Sequence, residues 1–145
     1  MTDKTKTRAY WHIHHDVLVE YTTAPIEERI WYIQEHKPPE EVAVRLRLLK
    51  PVVGELPNAF FAARKALDDA WLAYAAEAKA YRAAVKANPY APEWAYRAAR
   101  KALDGAVQAL ADARLACADE IEKLHRNECP DCPWDGKTIF PKVKQ

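Results

Sequence analysis

Two clusters of metal-ligating side chains stand near the ends of this 145-residue chain. The cluster near the C-terminus is His125-x3-Cys129-x2-Cys132, with Pro130 between the cysteines. A tight Cys-x2-Cys turn directs both sulfurs at one point, and zinc takes four thiolate or imidazole ligands tetrahedrally. The spacing therefore indicates a candidate structural zinc site built on Cys129, Cys132 and His125. The alternative is a proline-stiffened turn with two reduced cysteines that bind no metal.

The C-terminal motif has a counterpart in known metal sites. Cys129-Pro130-x-Cys132, followed within a few residues by Gly136, resembles one knuckle of a zinc ribbon. The resemblance supplies only half of a site, because the chain has no second Cys-x2-Cys. A thioredoxin-like redox role is less favoured, since that motif belongs in a βαβ context. Completing a zinc site therefore requires ligands from elsewhere in the chain.

The N-terminal cluster is His12-x-His14-His15-Asp16. It superficially resembles the first ligand cluster of some metallohydrolases, which implies a metal-dependent hydrolase as one alternative function. Those enzymes place the cluster at the strand-to-loop edge of a sheet and add distant ligands, and neither condition is visible in this sequence. The favoured interpretation is an amphipathic segment with surface and capping histidines. A third interpretation is that His12, His14 or His15 supplies ligands to the C-terminal zinc site.

The middle of the chain, residues 57–127, predicts a long antiparallel helical hairpin. The segment 62–68 returns unchanged as 98–104, and a heptad lies under the repeat. Large seam residues recur every seven positions, at Phe60, Leu67, Tyr74 and Tyr81 and then at Tyr96, Leu103, Leu110, Cys117 and Leu124. Asn88-Pro89 ends the first helix and Pro92-Glu93 begins the second. Counting back from this turn pairs Tyr81 with Tyr96.

Two features of the hairpin predict an association surface. Alanines flank the seam on both helices, at Ala66, Ala73, Ala80, Ala102, Ala109 and Ala116. They widen the apolar face beyond what one partner helix covers, so the hairpin should meet further helices. Trp71, Tyr90 and Trp94 are the second feature, because aromatic side chains on a protruding arm favour contact with a partner. For Trp71, packing in the core against the N-terminal helices is the default expectation.

The flanking segments predict a mostly helical base. Helices are expected from about Ile26 to His36 and from Pro39 to about Lys50, each with a proline and acids in its first turn. Residues 10–21 fit a strand or a helix, and with no obvious partner strand we predict a helix. The predicted class is therefore all-α. We predict a single domain over 1–145, with a helical base (1–56), the hairpin (57–127) and a Cys-containing turn and tail (128–145).

Net charge and the N-terminal sequence disfavour some classes of function. The net charge is +1 and no run of basic residues stands out, which disfavours a protein that binds phosphate backbones. The chain begins without an apolar signal segment, so we expect a cytoplasmic protein with no membrane partner.

The predicted function is a non-enzymatic helical scaffold or protein-interaction module that associates with a protein or with itself as a homodimer. The alternative is a nucleic-acid-binding protein with a zinc knuckle, in which Arg45, Arg47, Lys50 and tail lysines contact phosphate.

Overall fold

The computed structural model describes residues 7–142, and over these residues the chain forms five helices and three short strands. The predicted all-α class is therefore wrong, although most of the described chain is helical. The strands are β1 (Arg8–Trp11), β2 (Val19–Thr22) and β3 (Lys50–Pro51). They form one antiparallel sheet in the order β2-β1-β3.

The error lies in residues 10–21, which we predicted to be helical. This segment contains its own partner strand: β1 and β2 pair from Arg8 with Thr22 to Trp11 with Val19, and the chain reverses between them. The alternation of aromatic and β-branched residues suits a half-buried strand, and here it outweighs the competing helical periodicity. The third strand, Lys50–Pro51, begins where we expected a helix to end, and there Lys50 pairs with Trp11.

The short helices follow the proline signals. Helix α1 spans Ile26–His36 and α2 spans Pro39–Leu48, each with two acids in its first turn, where the helix dipole favours negative charge. Residues 7–55, together with residues 122–142, form one compact unit. Its core contains Trp11, Val19, Ile33, Leu48 and Ile139, each at most 4% exposed. We call this part of the protein the sheet unit.

The second compact unit, Leu56–Ile121, is the helical hairpin. Helix α3 spans Asn58–Ala87 and α4 spans Trp94–Ala116, while a third helix, α5, spans Ala118–Glu128. The predicted second arm is therefore interrupted at Cys117, whose φ of −98° and ψ of 4° depart from helical values. The rings of Tyr81 and Tyr96 stack with centroids 5.3 Å apart, which confirms the pairing predicted from the turn.

Burial in the hairpin follows the heptad. Phe60, Leu103, Leu110 and Cys117 are buried seam residues, whereas the six flanking alanines are exposed. Trp71 is 52% exposed, so the default expectation that it packs in the core is wrong. None of the helices between residues 7 and 142 combines the length and apolarity needed to cross a membrane.

Candidate metal centre

The sheet unit brings three metal-ligating side chains together. His12 lies just after β1, His125 lies in the last turn of α5, and Cys132 lies in the turn that follows α5. Their ligand atoms all lie within 4.8 Å of one another, and both histidines are buried. The Nε2 atom of His12 is 3.0 Å from His125 Nε2 and 3.2 Å from Cys132 Sγ. Three lone-pair donors thus converge from segments that are far apart in the sequence.

A local backbone feature turns His12 toward this centre. His12 has φ of 55°, and it is the one non-glycine residue with positive φ in the described part of the chain. Its N–H donates to the Leu18 carbonyl at 3.0 Å, which closes the loop between β1 and β2. Left-handed backbone is unfavourable for a residue with a Cβ, and such strain is concentrated at functional sites. The conformation therefore supports a functional role for His12.

The cysteine turn is built by backbone hydrogen bonds. Cys129 N–H donates to the His125 carbonyl at 2.7 Å, and Cys132 N–H donates to the Cys129 carbonyl at 3.2 Å. The backbone N–H of Trp134 also donates toward the Cys132 sulfur. These bonds carry the chain from the end of α5 directly into a tight turn, so His125, Cys129 and Cys132 stay in one neighbourhood. Cys129 is buried, but it lies outside the group of three with mutually close ligand atoms.

Electrostatics keep the histidines neutral. Burial, followed by repulsion from His125, lowers the pKa of His12 to about 4. Burial also lowers the pKa of His125, against the opposing influence of Glu122 and Glu128. A neutral imidazole has a lone pair that can bind a metal, so both rings are ready to act as ligands at neutral pH.

The two thiols are protonated in the absence of a metal. Burial raises the pKa of Cys129 and that of Cys132, while the positive charge of Lys50 opposes the rise at both. Because the metal-binding form is the thiolate, metal binding at this centre must release protons.

Without a metal, the polar groups of this centre cannot all be satisfied. A neutral imidazole has one N–H and one acceptor nitrogen. If His12 carries its proton on Nε2, the buried Nδ1 has no donor. If the proton is on Nδ1, both His125 and Cys132 must donate to the single lone pair on Nε2. A cation at the point of convergence would accept a lone pair from each of the three residues, and the proton of His12 would then lie on Nδ1.

The spacing suits a small tetrahedral ion. In zinc sites with Zn–N of about 2.0–2.1 Å and Zn–S of about 2.3 Å, neighbouring ligand atoms are roughly 3.3–3.6 Å apart. The observed 3.0 Å and 3.2 Å are a few tenths of an ångström shorter. Small side-chain shifts would therefore admit zinc. The residues present fit the ion by donor type, burial and convergence.

Two tryptophans that were not predicted as part of a metal site lie against the histidines of the centre. The ring of Trp11 lies 5.1 Å from that of His125, and the ring of Trp134 lies 5.4 Å from that of His12. Their indole N–H groups donate to Glu128 and Glu122 of α5, at 3.2 Å each. The indoles shield the ligands and the glutamates fix the indoles. No motif in the sequence indicates such long-range pairs.

Other residues predicted for metal chemistry lie elsewhere. His14 Nδ1 is 2.9 Å from Glu20 and half exposed, while His15 Nδ1 is 3.2 Å from the hydroxyl of Thr138. The structure thus does not bring His14 and His15 to the same point as His12. Arg45, expected to contact phosphate in the nucleic-acid alternative, is buried and paired with Glu41 at 2.6 Å.

The residues predicted for an association surface are exposed: Trp71 by 52%, Trp94 by 73% and Tyr90 by 92%. Trp71 packs edge-on against Tyr74 of the same helix, with centroids 5.8 Å apart. Comparison of the chain with protein-family models, with curated proteins and with solved structures found no match.

Proposed function

We propose that this chain is a non-enzymatic helical scaffold with a structural zinc centre, whose helical hairpin associates with a second copy of the chain. The observation that carries the zinc proposal is the convergence of His12, His125 and Cys132 on one buried point. In this proposal the ion fastens the β1–β2 loop to the end of α5 and to the turn that follows it.

Cys129 is the fourth ligand in this proposal. Its thiol is buried, and Cys129 and Cys132 belong to one hydrogen-bonded turn. In this proposal Cys129 completes a Cys2His2 sphere. A closed sphere has no open position for substrate or water, and this favours a structural role over a catalytic one.

The test of the zinc centre is metal analysis of the full chain purified without added zinc. We expect about one equivalent of zinc in the unmodified protein and a large loss in Cys132→Ser and His12→Ala. Cys117→Ala is the matched control, because Cys117 is also buried but lies outside the cluster of ligands. Less than about a tenth of an equivalent in the unmodified protein, with freely titratable thiols, would favour the plain turn instead.

Self-association is supported by the exposed alanines of the hairpin. In an antiparallel pair with this heptad, the alanines that precede the seam positions on α3 and α4 fall on one flank. Small side chains allow a further helix to approach closely. Trp71 adds apolar area on the opposite flank, beside Val107, which is 50% exposed.

Sedimentation velocity over a range of protein concentrations tests this part. We expect a dimer that dissociates on dilution, and a shift to monomer in Ala73→Glu with Ala109→Glu. The control changes Ala62 and Ala98 to glutamate, since these exposed alanines lie farther from the seam. A strict monomer at high concentration would remove the self-association, and it would leave the zinc measurement untouched.

A further inference from the structure

The end of the hairpin at the turn has a positive net charge, whereas the rest of the hairpin has a negative one. Residues 79–101 contain six cations and one acid, Glu93. The cations are Lys79, Arg82, Lys86, Arg97, Arg100 and Lys101, and all are exposed. The remaining residues of Leu56–Ile121 contain three cations and seven acids. The hairpin is therefore basic at its turn and acidic over the remainder. We call residues 79–101 the basic tip.

The turn itself presents two aromatic side chains to solvent. Tyr90 is 92% exposed and Trp94 is 73% exposed. The turn is ordered by Asn88, whose side chain accepts the Tyr90 N–H at 3.0 Å and whose carbonyl accepts the Ala91 N–H at 2.9 Å. Burial of aromatic groups of this size is favourable, and two of them exposed on one ordered turn form a small apolar surface that a partner can cover.

The cations surround the turn and do not form a row on one side. On α3, Lys79, Arg82 and Lys86 occupy outward positions of the heptad, and on α4 Arg97 and Lys101 do the same. The outer faces of two antiparallel helices point in opposite directions. Lys79 is only about 12 Å of helix rise from the end of α3. A partner that meets the hairpin end-on can thus approach all of these charges.

We propose that the basic tip docks end-on at the surface of a membrane rich in anionic phospholipid. Tryptophan and tyrosine favour the interface between headgroups and acyl chains, where an apolar body and a polar edge are both accommodated. Clusters of Lys and Arg beside such anchors are attracted to anionic headgroups. The acidic remainder of the hairpin is repelled by the same surface, and this favours an upright approach.

A nucleic acid fits this arrangement less well. A bound strand follows a groove or stripe of positive charge and stacks its bases on a platform of aromatic rings. Here a strand lying along either helix would leave the basic tip and meet Asp68, Asp69 or Asp104. The expectation of no membrane partner rested on the lack of an apolar signal segment, which does not bear on attachment to a membrane surface. Docking through the basic tip requires neither the zinc centre nor the dimer.

Co-sedimentation of the full chain with lipid vesicles tests the inference. We expect partition onto vesicles of phosphatidylcholine with phosphatidylserine, little onto phosphatidylcholine alone, and a decrease with salt. Lys86→Glu should weaken partition by about tenfold, and Lys65→Glu, an identical change at an exposed lysine of the same helix, by less than about twofold. Trp94→Ala should weaken it several-fold, whereas Trp71→Ala should not. Circular dichroism checks that every variant keeps its helix content.

Several results would overturn the inference. They are an absence of partition, equal partition onto neutral vesicles, or an equal effect of Lys65→Glu and Lys86→Glu. Retardation of single-stranded DNA that is abolished by Lys86→Glu, without partition onto vesicles, would make nucleic acid the partner of the basic tip. Zinc content and sedimentation of the same variants in solution report separately on the proposed scaffold.

Discussion

The contacts that stabilise the sheet unit internally differ in kind from those that stabilise the hairpin. In the hairpin, one spacing repeated along two helices supplies the contacts, and the Tyr81–Tyr96 stack follows from counting away from the turn. In the sheet unit, His12 meets residues 113 and 120 positions away, and Glu128 meets Trp11 across 117 positions. Contacts in the hairpin thus recur at a fixed spacing, whereas the polar contacts of the sheet unit join segments that lie far apart in the sequence.

The largest expected effect is in the seam of the hairpin. Leu103 is 5% exposed, so Leu103→Asp would bury an unpaired carboxylate and lower the free energy of unfolding by about 3–5 kcal/mol. Leu115 is on the same helix and 78% exposed, and Leu115→Asp should change stability by less than about 0.5 kcal/mol. Chemical denaturation followed by circular dichroism measures both. Equal effects would show that the seam does not hold the hairpin.

Removal of zinc should destabilise the sheet unit and leave the hairpin stable. If the ion holds the sheet unit, chelation should destabilise that unit by about 3 kcal/mol or more. Hydrogen exchange should then accelerate in β1, β2 and residues 129–139, while α3 and α4 keep their protection. The same chelation of Cys132→Ser protein, which has already lost its metal, should change little. Equal acceleration in α3 would contradict an independently stabilised hairpin.

The carboxylate of Glu128 should matter more than that of Glu122. Glu128 accepts hydrogen bonds from Trp11 Nε1, Val53 N–H and Gly54 N–H, while Glu122 accepts one from Trp134 Nε1. Glu128→Gln should therefore cost about 1–3 kcal/mol and Glu122→Gln about 0.5–1 kcal/mol. Thermal unfolding of the two variants compares them. A greater cost at Glu122 would reverse the assigned roles.

The pH dependence of the Glu128 contribution follows from its hydrogen bonds. Desolvation alone would raise the pKa of Glu128, but the Val53, Gly54 and Trp11 donors outweigh it and lower the pKa below 4.5. A lowered pKa in the folded state stabilises the protein above the unfolded value, and the stabilisation is lost as the pH falls through the folded value. The stability difference between the unmodified protein and Glu128→Gln should thus shrink below about pH 4.5.

Small effects of opposite sign are expected at two glycines. A Cβ at Gly54 would lie 2.6 Å from Leu124 Cδ1 and 3.1 Å from Glu128 Oε2, so Gly54→Ala should cost about 1–2 kcal/mol. Gly105 lies inside α4 with open space around it, and Gly105→Ala should stabilise by about 0.5–1 kcal/mol. Melting temperatures measure both. Two changes of the same sign would contradict this contrast.

The sequence by itself determined the elements that rest on local rules. Prolines and acids marked the starts of α1 and α2, and the heptad with its Asn-Pro turn marked α3, α4 and the contact between Tyr81 and Tyr96. These features are readable because a helix and its closest partner depend on residues a few positions apart or on a fixed repeat. The Cys-x2-Cys turn was readable for the same reason.

The tertiary structure decided what depends on distant segments. Residues 10–21 fitted two periodicities, and pairing of β1 with both β2 and β3 selected the strand. From the sequence, any of three neighbouring histidines could lie at the cysteine turn. In the structure it is His12, the residue with left-handed backbone, that lies beside His125 and Cys132. The basic tip was also hidden, because the sum over the hairpin averages its charge with the acids beyond it. The excess of positive charge lies in one continuous segment, and folding at the turn brings residues 79–86 beside residues 97–101.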